Sequence, residues 1–279
     1  MQWRGRRESG NIEDRRGITG GHVAFGGIGG LIIAAIVYFL GGNPNDVLQQ
    51  QPNQASQNSS VNDPNDTLKD YIGVVLADTE DVWDSLFTSM HRQYIKPGLV
   101  VFSGGTDAGC GEASSATGPF YCPSDQKVYI DLSFADELTQ RFGASNGDFA
   151  MAYVVAHEVG HHVQNLLGIT EKMDRMRSQV GETEYNQLSV KLELQADFLA
   201  GVWAHYDQQM KHVLDAGDID EALSAANAVG DDRLQKEMQG RVVPDSFTHG
   251  TSEQRMYWFK KGYTTGDLSQ GDTFGNGSL

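Results

Sequence analysis

His157-Glu158-Val159-Gly160-His161 is an H-E-x-x-H sequence. On a helix, positions i and i+4 lie one above the other on the same face. His157 and His161 could then offer two imidazole nitrogens to one cation. Glu158 would project beside them, where a carboxylate can take a proton from an activated water. The apolar positions Phe149, Tyr153, Val155, Ala156, Val159, Val163, Leu166 and Leu167 recur at steps of three and four. That spacing predicts an amphipathic helix, with Asp148 as N-cap and Gly168 as its stop. A glycine inside a helix costs about 1 kcal/mol relative to alanine, so Gly160 points to close approach of another backbone or of a substrate. The competing reading is an ordinary solvated His/Glu face.

A catalytic zinc usually takes three protein ligands and keeps one position for water. The continuation H-x-x-G-x-x-H fails, because Gln164 and Leu167 occupy the required Gly and His positions. The inverted H-x-x-E-H order is absent. A glutamate from a later helix remains, and Glu193 is the best candidate, 32 residues beyond His161. Asp197 follows one turn later on the same face and supplies a carboxylate for the second nitrogen of a ligand histidine. The alternative is an exposed acidic stripe. Against it, Leu192, Leu194, Ala196, Phe198, Leu199, Ala200, Val202 and Trp203 make the segment apolar nearly all round. Carboxylates there are costly unless paired or bound to an ion. His205 and His212 are weaker ligand candidates. His162 points away from the metal face as a packing or surface residue, and His22 and His91 carry no context.

These residues need a scaffold. A capping box at Thr67-Leu68-Lys69-Asp70 opens a helix over 68–90, with Trp83 as a packing residue. A short strand is expected at 99–102, and period-two alternation predicts a half-buried strand at 127–132. Helical segments are expected at 134–142, 182–211, near 218–229 and at 233–239, with an acidic turn at Asp231-Asp232. Thr248-His249-Gly250 leads into an apolar helix carrying Met256, Tyr257, Trp258 and Phe259. The fold class is α+β, a mainly helical domain over 67–264 with a small sheet, followed by a flexible polar tail over 265–279.

Positive residues number 21 and acidic residues 37, a net charge of −16. Phosphate recognition needs clustered Lys and Arg, so no nucleic-acid partner is expected. Cys110 and Cys122 share one Gly/Ser-rich loop. They are compatible with a disulfide in an oxidising compartment and with two free thiols in a reducing one. Residues 23–40 carry no charge over 18 positions, roughly 27 Å of helix and just enough for a bilayer core. This predicts a transmembrane helix at 22–40, preferred over a cleaved signal peptide because no A-x-A site is evident. Arginines precede it, so the positive-inside rule puts a 1–21 segment in the cytoplasm and everything after the span outside. Residues 41–66 read as a disordered polar linker. The expected location is a bacterial inner membrane, single-pass, with the domain in the periplasm and the lipid bilayer a partner through 22–40.

The combination resembles gluzincin zinc peptidases, and more closely the bacterial family called putative neutral zinc metallopeptidases. The matching pieces are Cys110-Gly111, Gly118-Pro119-Phe120-Tyr121-Cys122-Pro123, Val128-Tyr129-Ile130-Asp131, His157 to Gln164, Glu193-Leu194-Gln195-Ala196-Asp197 and Thr248-His249-Gly250. The resemblance implies a zincin-like fold and a membrane-anchored zinc metallopeptidase acting on a peptide or protein. It implies Zn²⁺ on His157, His161 and Glu193, with Glu158 as general base and Asp197 orienting His157. The strand at 127–132 would be the cleft edge that pairs with an extended substrate. An oxyanion stabiliser is still needed. His249 is the candidate, with a local hydrogen-bonding role as its alternative and Arg255 and Tyr257 as lesser options. The rival function class is a membrane-tethered zinc-binding scaffold without proteolytic activity, and a third is a metal-delivery protein.

Overall fold

The computed structural model describes residues 1–17, 64–145 and 147–275. Met1–Arg16 and the chain from Asn65 onward form one compact unit. The expected transmembrane helix at 22–40 and nearly all of the 41–66 linker lie outside the described residues. Among the described residues no helix is long and apolar enough to cross a membrane.

The fold is α+β and mainly helical. Helix α1 (Pro64–Ser89) starts before the expected cap at Thr67 and buries Tyr71, Ile72, Val75, Leu76, Val82 and Trp83. Strand β1 (Ile12–Asp14) belongs to the N-terminal segment, β2 is Gly98–Phe102, and β3 (Gly105–Ala108) with β4 (Gly111–Ser114) forms a separate hairpin. Strands β5 (Phe120–Cys122) and β6 (Lys127–Asp131) complete a four-stranded sheet of order β1-β2-β6-β5. β1–β2 and β2–β6 are parallel, and β5–β6 is antiparallel with Tyr121 opposite Val128. Strand β6 is therefore flanked on both sides and cannot be the free edge expected of 127–132. That edge is β5. Cys110 and Cys122 are bonded to each other, which ties β5 to the hairpin.

The helices that follow are α2 (Asp148–Leu166), α3 (Ile169–Arg177), α4 (Glu182–Lys211), α5 (Asp218–Ala228), α6 (Asp231–Gln239) and α7 (Ser252–Thr265). Gly147, with extended backbone, is the N-cap of α2, so Asp148 is its first residue; Gly168 ends it at φ 76°. Every residue from Phe149 to Gly160 is buried, so α2 is a central helix covered nearly all round, not an amphipathic surface helix. Asp231-Asp232, expected as a turn, open α6. The expected flexible tail packs as far as the described chain runs. The Gln195 amide donates to the Gly271 carbonyl at 2.9 Å, and the Thr273 hydroxyl to the Lys191 carbonyl at 2.6 Å.

Glycine lets α2, α4 and α7 approach closely. A Cβ on Gly160 would meet the Ala196 carbonyl oxygen at 3.0 Å and its Cα at 3.2 Å. A Cβ on Gly201 would lie 2.1 Å from the Phe259 carbonyl oxygen, and one on Gly262 the same distance from that of Phe198. Gly160 thus answers to the backbone of α4, which brings the two site-bearing helices together.

Candidate metal centre and cleft

α2 supplies His157, Glu158 and His161, and α4 supplies Glu193 and Asp197. His157 Nε2 lies 3.1 Å from Glu193 Oε2, and His161 Nε2 lies 3.4 Å from Glu193 Oε1. All three ligand atoms fall within 4.8 Å of one another. With metal–ligand bonds of about 2.0–2.1 Å, neighbouring ligands of a tetrahedral zinc stand about 3.3 Å apart, so the spacing fits.

The second nitrogens are committed elsewhere. His157 Nδ1 meets Asp197 Oδ1 at 2.8 Å, and His161 Nδ1 meets the Gln164 carbonyl-type Oε1 at 2.9 Å. Both partners are acceptors, so Nδ1 carries the proton and Nε2 turns its lone pair toward the shared position. Gln164 is itself fixed by donating to the Leu192 carbonyl at 2.7 Å.

Asp197 is fully buried. Its Oδ1 also accepts from the Tyr153 hydroxyl at 2.6 Å and from Arg255 Nη2 at 2.9 Å, while Oδ2 accepts from Arg255 Nε at 2.8 Å. Burial raises its pKa, but Arg255 and His157 outweigh that and hold it at about 2. Burial likewise works against a charged His157, yet Asp197 and Glu193 push its pKa up to about 10. A metal on Nε2 would have to displace that proton. Glu193 is held well below the carboxylate range by His161 and His157 despite its burial.

Glu158 is 7% exposed, and burial raises its pKa against the opposing pull of His157 and His161. Its carboxylate has no hydrogen-bond partner among the described residues and faces a cleft of about 600 Å³. Gly118 to Tyr121, Phe134, Phe142, Val154, Val229 and Leu234 line that cleft with His249 and Arg255.

His249 stands at the mouth, 51% exposed, with Nδ1 3.2 Å from Asp231 Oδ1. Burial lowers its pKa, but Asp231 and Glu193 outweigh this and raise it above the ordinary imidazole value. Asp231 also accepts the backbone N–H groups of Thr248, His249 and Gly250 at 2.7, 2.6 and 3.0 Å, fixing this loop. No sequence signal linked Asp231 to His249 across 18 positions. Tyr257 is 56% exposed and does not line the cleft. His162 is fully buried, donating from Nε2 to the Ile95 carbonyl at 2.6 Å and accepting from the Tyr121 hydroxyl at 2.9 Å. His205 bonds the Tyr263 carbonyl at 2.8 Å, and His91 and His212 have left-handed backbone at helix ends. None of these joins the site, and His22 lies outside the described residues.

A mainly helical α+β body holding H-E-x-x-H on α2, with Glu and Asp from α4, defines the class of H-E-x-x-H metal-site proteins. Comparison with known sequences sharpens this. The profile of the family described as Putative neutral zinc metallopeptidase matches residues 1–274, and the chain belongs to that family. It is 50% identical over 286 aligned positions to the uncharacterized protein YpfJ of Escherichia coli K12, covering 99% of both chains. It is 41% identical over 259 positions to the uncharacterized protein Rv2575 of Mycobacterium tuberculosis H37Rv, covering 86% of this chain and 85% of that one. No solved structure matches the chain.

Proposed function

We propose that the protein is a membrane-attached, zinc-dependent peptidase that hydrolyses peptide bonds in the α2–α4 cleft. The observation that carries this reading is the convergence of His157, His161 and Glu193 on one position beside Glu158, which has no hydrogen-bond partner among the described residues and opens to the same cleft. Zn²⁺ held by those three residues would polarise the scissile carbonyl and lower the pKa of water to about 7. Glu158 accepts a proton from the attacking water on its carboxylate and returns it to the leaving amine. Its raised pKa brings that carboxylate closer to the pH at which such exchange is efficient. His249, its pKa raised by Asp231 and Glu193, supplies a hydrogen-bond donor toward the developing oxyanion. Asp197 and Arg255 hold His157 in orientation. The β5 edge with Gly118–Tyr121 gives an extended chain a strand to pair with. Phe134, Phe142, Val154, Val229 and Leu234 favour apolar side chains next to the scissile bond.

Attachment to the bacterial inner membrane is assigned to residues 22–40, on the strength of their uncharged run. The Cys110–Cys122 bond supports an oxidising compartment for the domain. The test of the chemistry is Glu158→Gln in the full chain. Zinc content should stay at one per chain while cleavage of unfolded protein substrates falls by two or more orders of magnitude. Unchanged cleavage would end the peptidase reading. His249→Gln should lower kcat by about 10²-fold with little change in zinc content.

A further inference from the structure

The arm Met1–Arg16 is built into the body that carries the metal site. β1 adds a parallel strand to β2, with Ile12, Glu13 and Asp14 beside Leu99, Val100 and Val101. Backbone bonds continue on either side of it. The Leu99 N–H donates to the Asn11 carbonyl at 2.8 Å, the Arg15 N–H to the Val101 carbonyl at 2.8 Å, and the Ser9 N–H to the Gly73 carbonyl at 3.0 Å.

The arm is also charge-matched to α1. Arg6 pairs with Asp78 at 2.7 Å and Arg7 with Asp81 at 2.6 Å. Glu80 is buried at 1% exposure. It accepts from the Ser9 hydroxyl, from the Asn11 amide at 2.8 Å and from Arg7 at 3.3 Å. Outside the arm, only Lys96 at 3.2 Å is found pairing with it among the described residues. Without the arm, Glu80 would be a buried carboxylate stripped of most of its donors. Gly73 gives an independent sign. It sits inside α1, where glycine weakens a helix, and a Cβ there would meet Ile12 Cδ1 at 3.2 Å and Glu8 Cγ at 3.4 Å. The helix is shaped to receive the arm.

The far end of the arm is fastened to the start of α1. Arg16 Nη2 bonds Asp66 Oδ1 at 2.8 Å. Residues 16 and 66 are therefore neighbours on the body.

We infer that Met1–Arg16 and the metal-site domain occupy the same side of the membrane. A single crossing at 23–40 would put the arm opposite the domain, and β1, Arg6 and Arg7 could not then reach their partners. The return stretch offers no second crossing. Residues 41–63 are Gly, Asn, Gln, Ser, Asp and Pro with few apolar side chains, and lipid does not tolerate such a segment as a span. This topology puts residues 1–16 on the side of the domain, in place of the expected cytoplasmic 1–21 segment. It does not depend on the peptidase reading.

The test uses the full chain in intact cells with the outer membrane permeabilised, and two reporters that each add one cysteine to the bonded Cys110–Cys122 pair. Gly10→Cys lies on the arm, at an exposed position where a Cβ meets nothing within 4 Å; Ser178→Cys lies on the exposed end of α3. A membrane-impermeant maleimide should label both before lysis, or both only after it. Labelling of one before lysis and the other only after it would overturn the inference. A measurement without substitutions guards against a misfolded variant. Lys127 Nζ and Glu13 Oε2 stand 3.0 Å apart, so carbodiimide treatment of unsolubilised membranes should yield the Glu13–Lys127 amide cross-link. Its absence would also overturn the inference.

Discussion

Replacing Asp197 by asparagine separates what this residue does for folding from what it does for the metal. The carboxylate is fully buried and accepts hydrogen bonds from His157, Tyr153 and both Nε and Nη2 of Arg255. Asparagine keeps the shape, removes the charge and turns an NH₂ toward one of those donors. Arg255, itself 4% exposed, is left as a buried cation without a counter-charge, a loss of about 3–5 kcal/mol. At about 2–4 °C per kcal/mol for a domain of this size, zinc-free protein should melt roughly 6–20 °C lower. The His157 imidazole also loses the acceptor that fixes its tautomer, which should weaken zinc binding about 10–100-fold, or about 1.4–2.7 kcal/mol. Adding Arg255→Met removes the stranded charge. The double variant should regain most of the melting temperature and none of the zinc affinity. Chelator competition and circular-dichroism melts of zinc-free protein read the two quantities separately. Asp197→Asn with unchanged zinc affinity, or a double variant that recovers affinity together with stability, would refute the orienting role.

Two further outcomes follow from packing and charge. Gly160→Ala places a methyl 3.0 Å from the Ala196 carbonyl oxygen. It should cost about 1–3 kcal/mol and weaken zinc binding by prying α2 from α4, which melting and chelator competition would detect together. Asp207 is fully buried, neither of its carboxylate oxygens has a hydrogen-bond partner, and burial together with Asp78 lifts its pKa to about 7. A carboxyl whose pKa is higher folded than unfolded stabilises the fold at low pH and loses that contribution as pH rises from about 4 to 7. Three pKa units correspond to roughly 4 kcal/mol as an upper figure; nearby Lys211 and Arg6 reduce it. Asp207→Asn should therefore flatten the fall in stability over that window and be the more stable protein at pH 8. Lys211 keeps Asp78 and Asp81, each at 2.7 Å. An unchanged pH profile of denaturant midpoints would contradict this.

The candidate metal cluster was legible because its signal is local and its surroundings restrictive. His157 and His161 are one turn apart, and Glu193 and Asp197 stand out as the carboxylates in the mostly apolar stretch 192–203 of α4. The meaning of Gly160 was legible in kind, though not which backbone it met. Features that depend on distant pairing left no periodic trace. β1 is Ile-Glu-Asp, too short and polar to alternate, and becomes a strand only because β2 offers an edge. The arginines of the arm, read as a topogenic charge, find Asp78 and Asp81 about seventy positions away, a match that composition does not encode. Asp231, read as part of an acidic turn, owes its role to the Thr248-His249-Gly250 backbone folding over the N-terminus of α6. Strand 127–132 was placed correctly, but its neighbours were not, since edge or interior position belongs to the assembled sheet.

The most direct test of the metal centre is zinc K-edge X-ray absorption on the purified full chain, beside its Glu193→Ala variant. One zinc per chain is expected, with only nitrogen and oxygen neighbours at about 2.0–2.2 Å and imidazole scattering from two histidines. The variant should lose most of its zinc on dialysis against a chelator. Sulfur in the coordination shell, or full zinc retention by Glu193→Ala, would contradict the assignment.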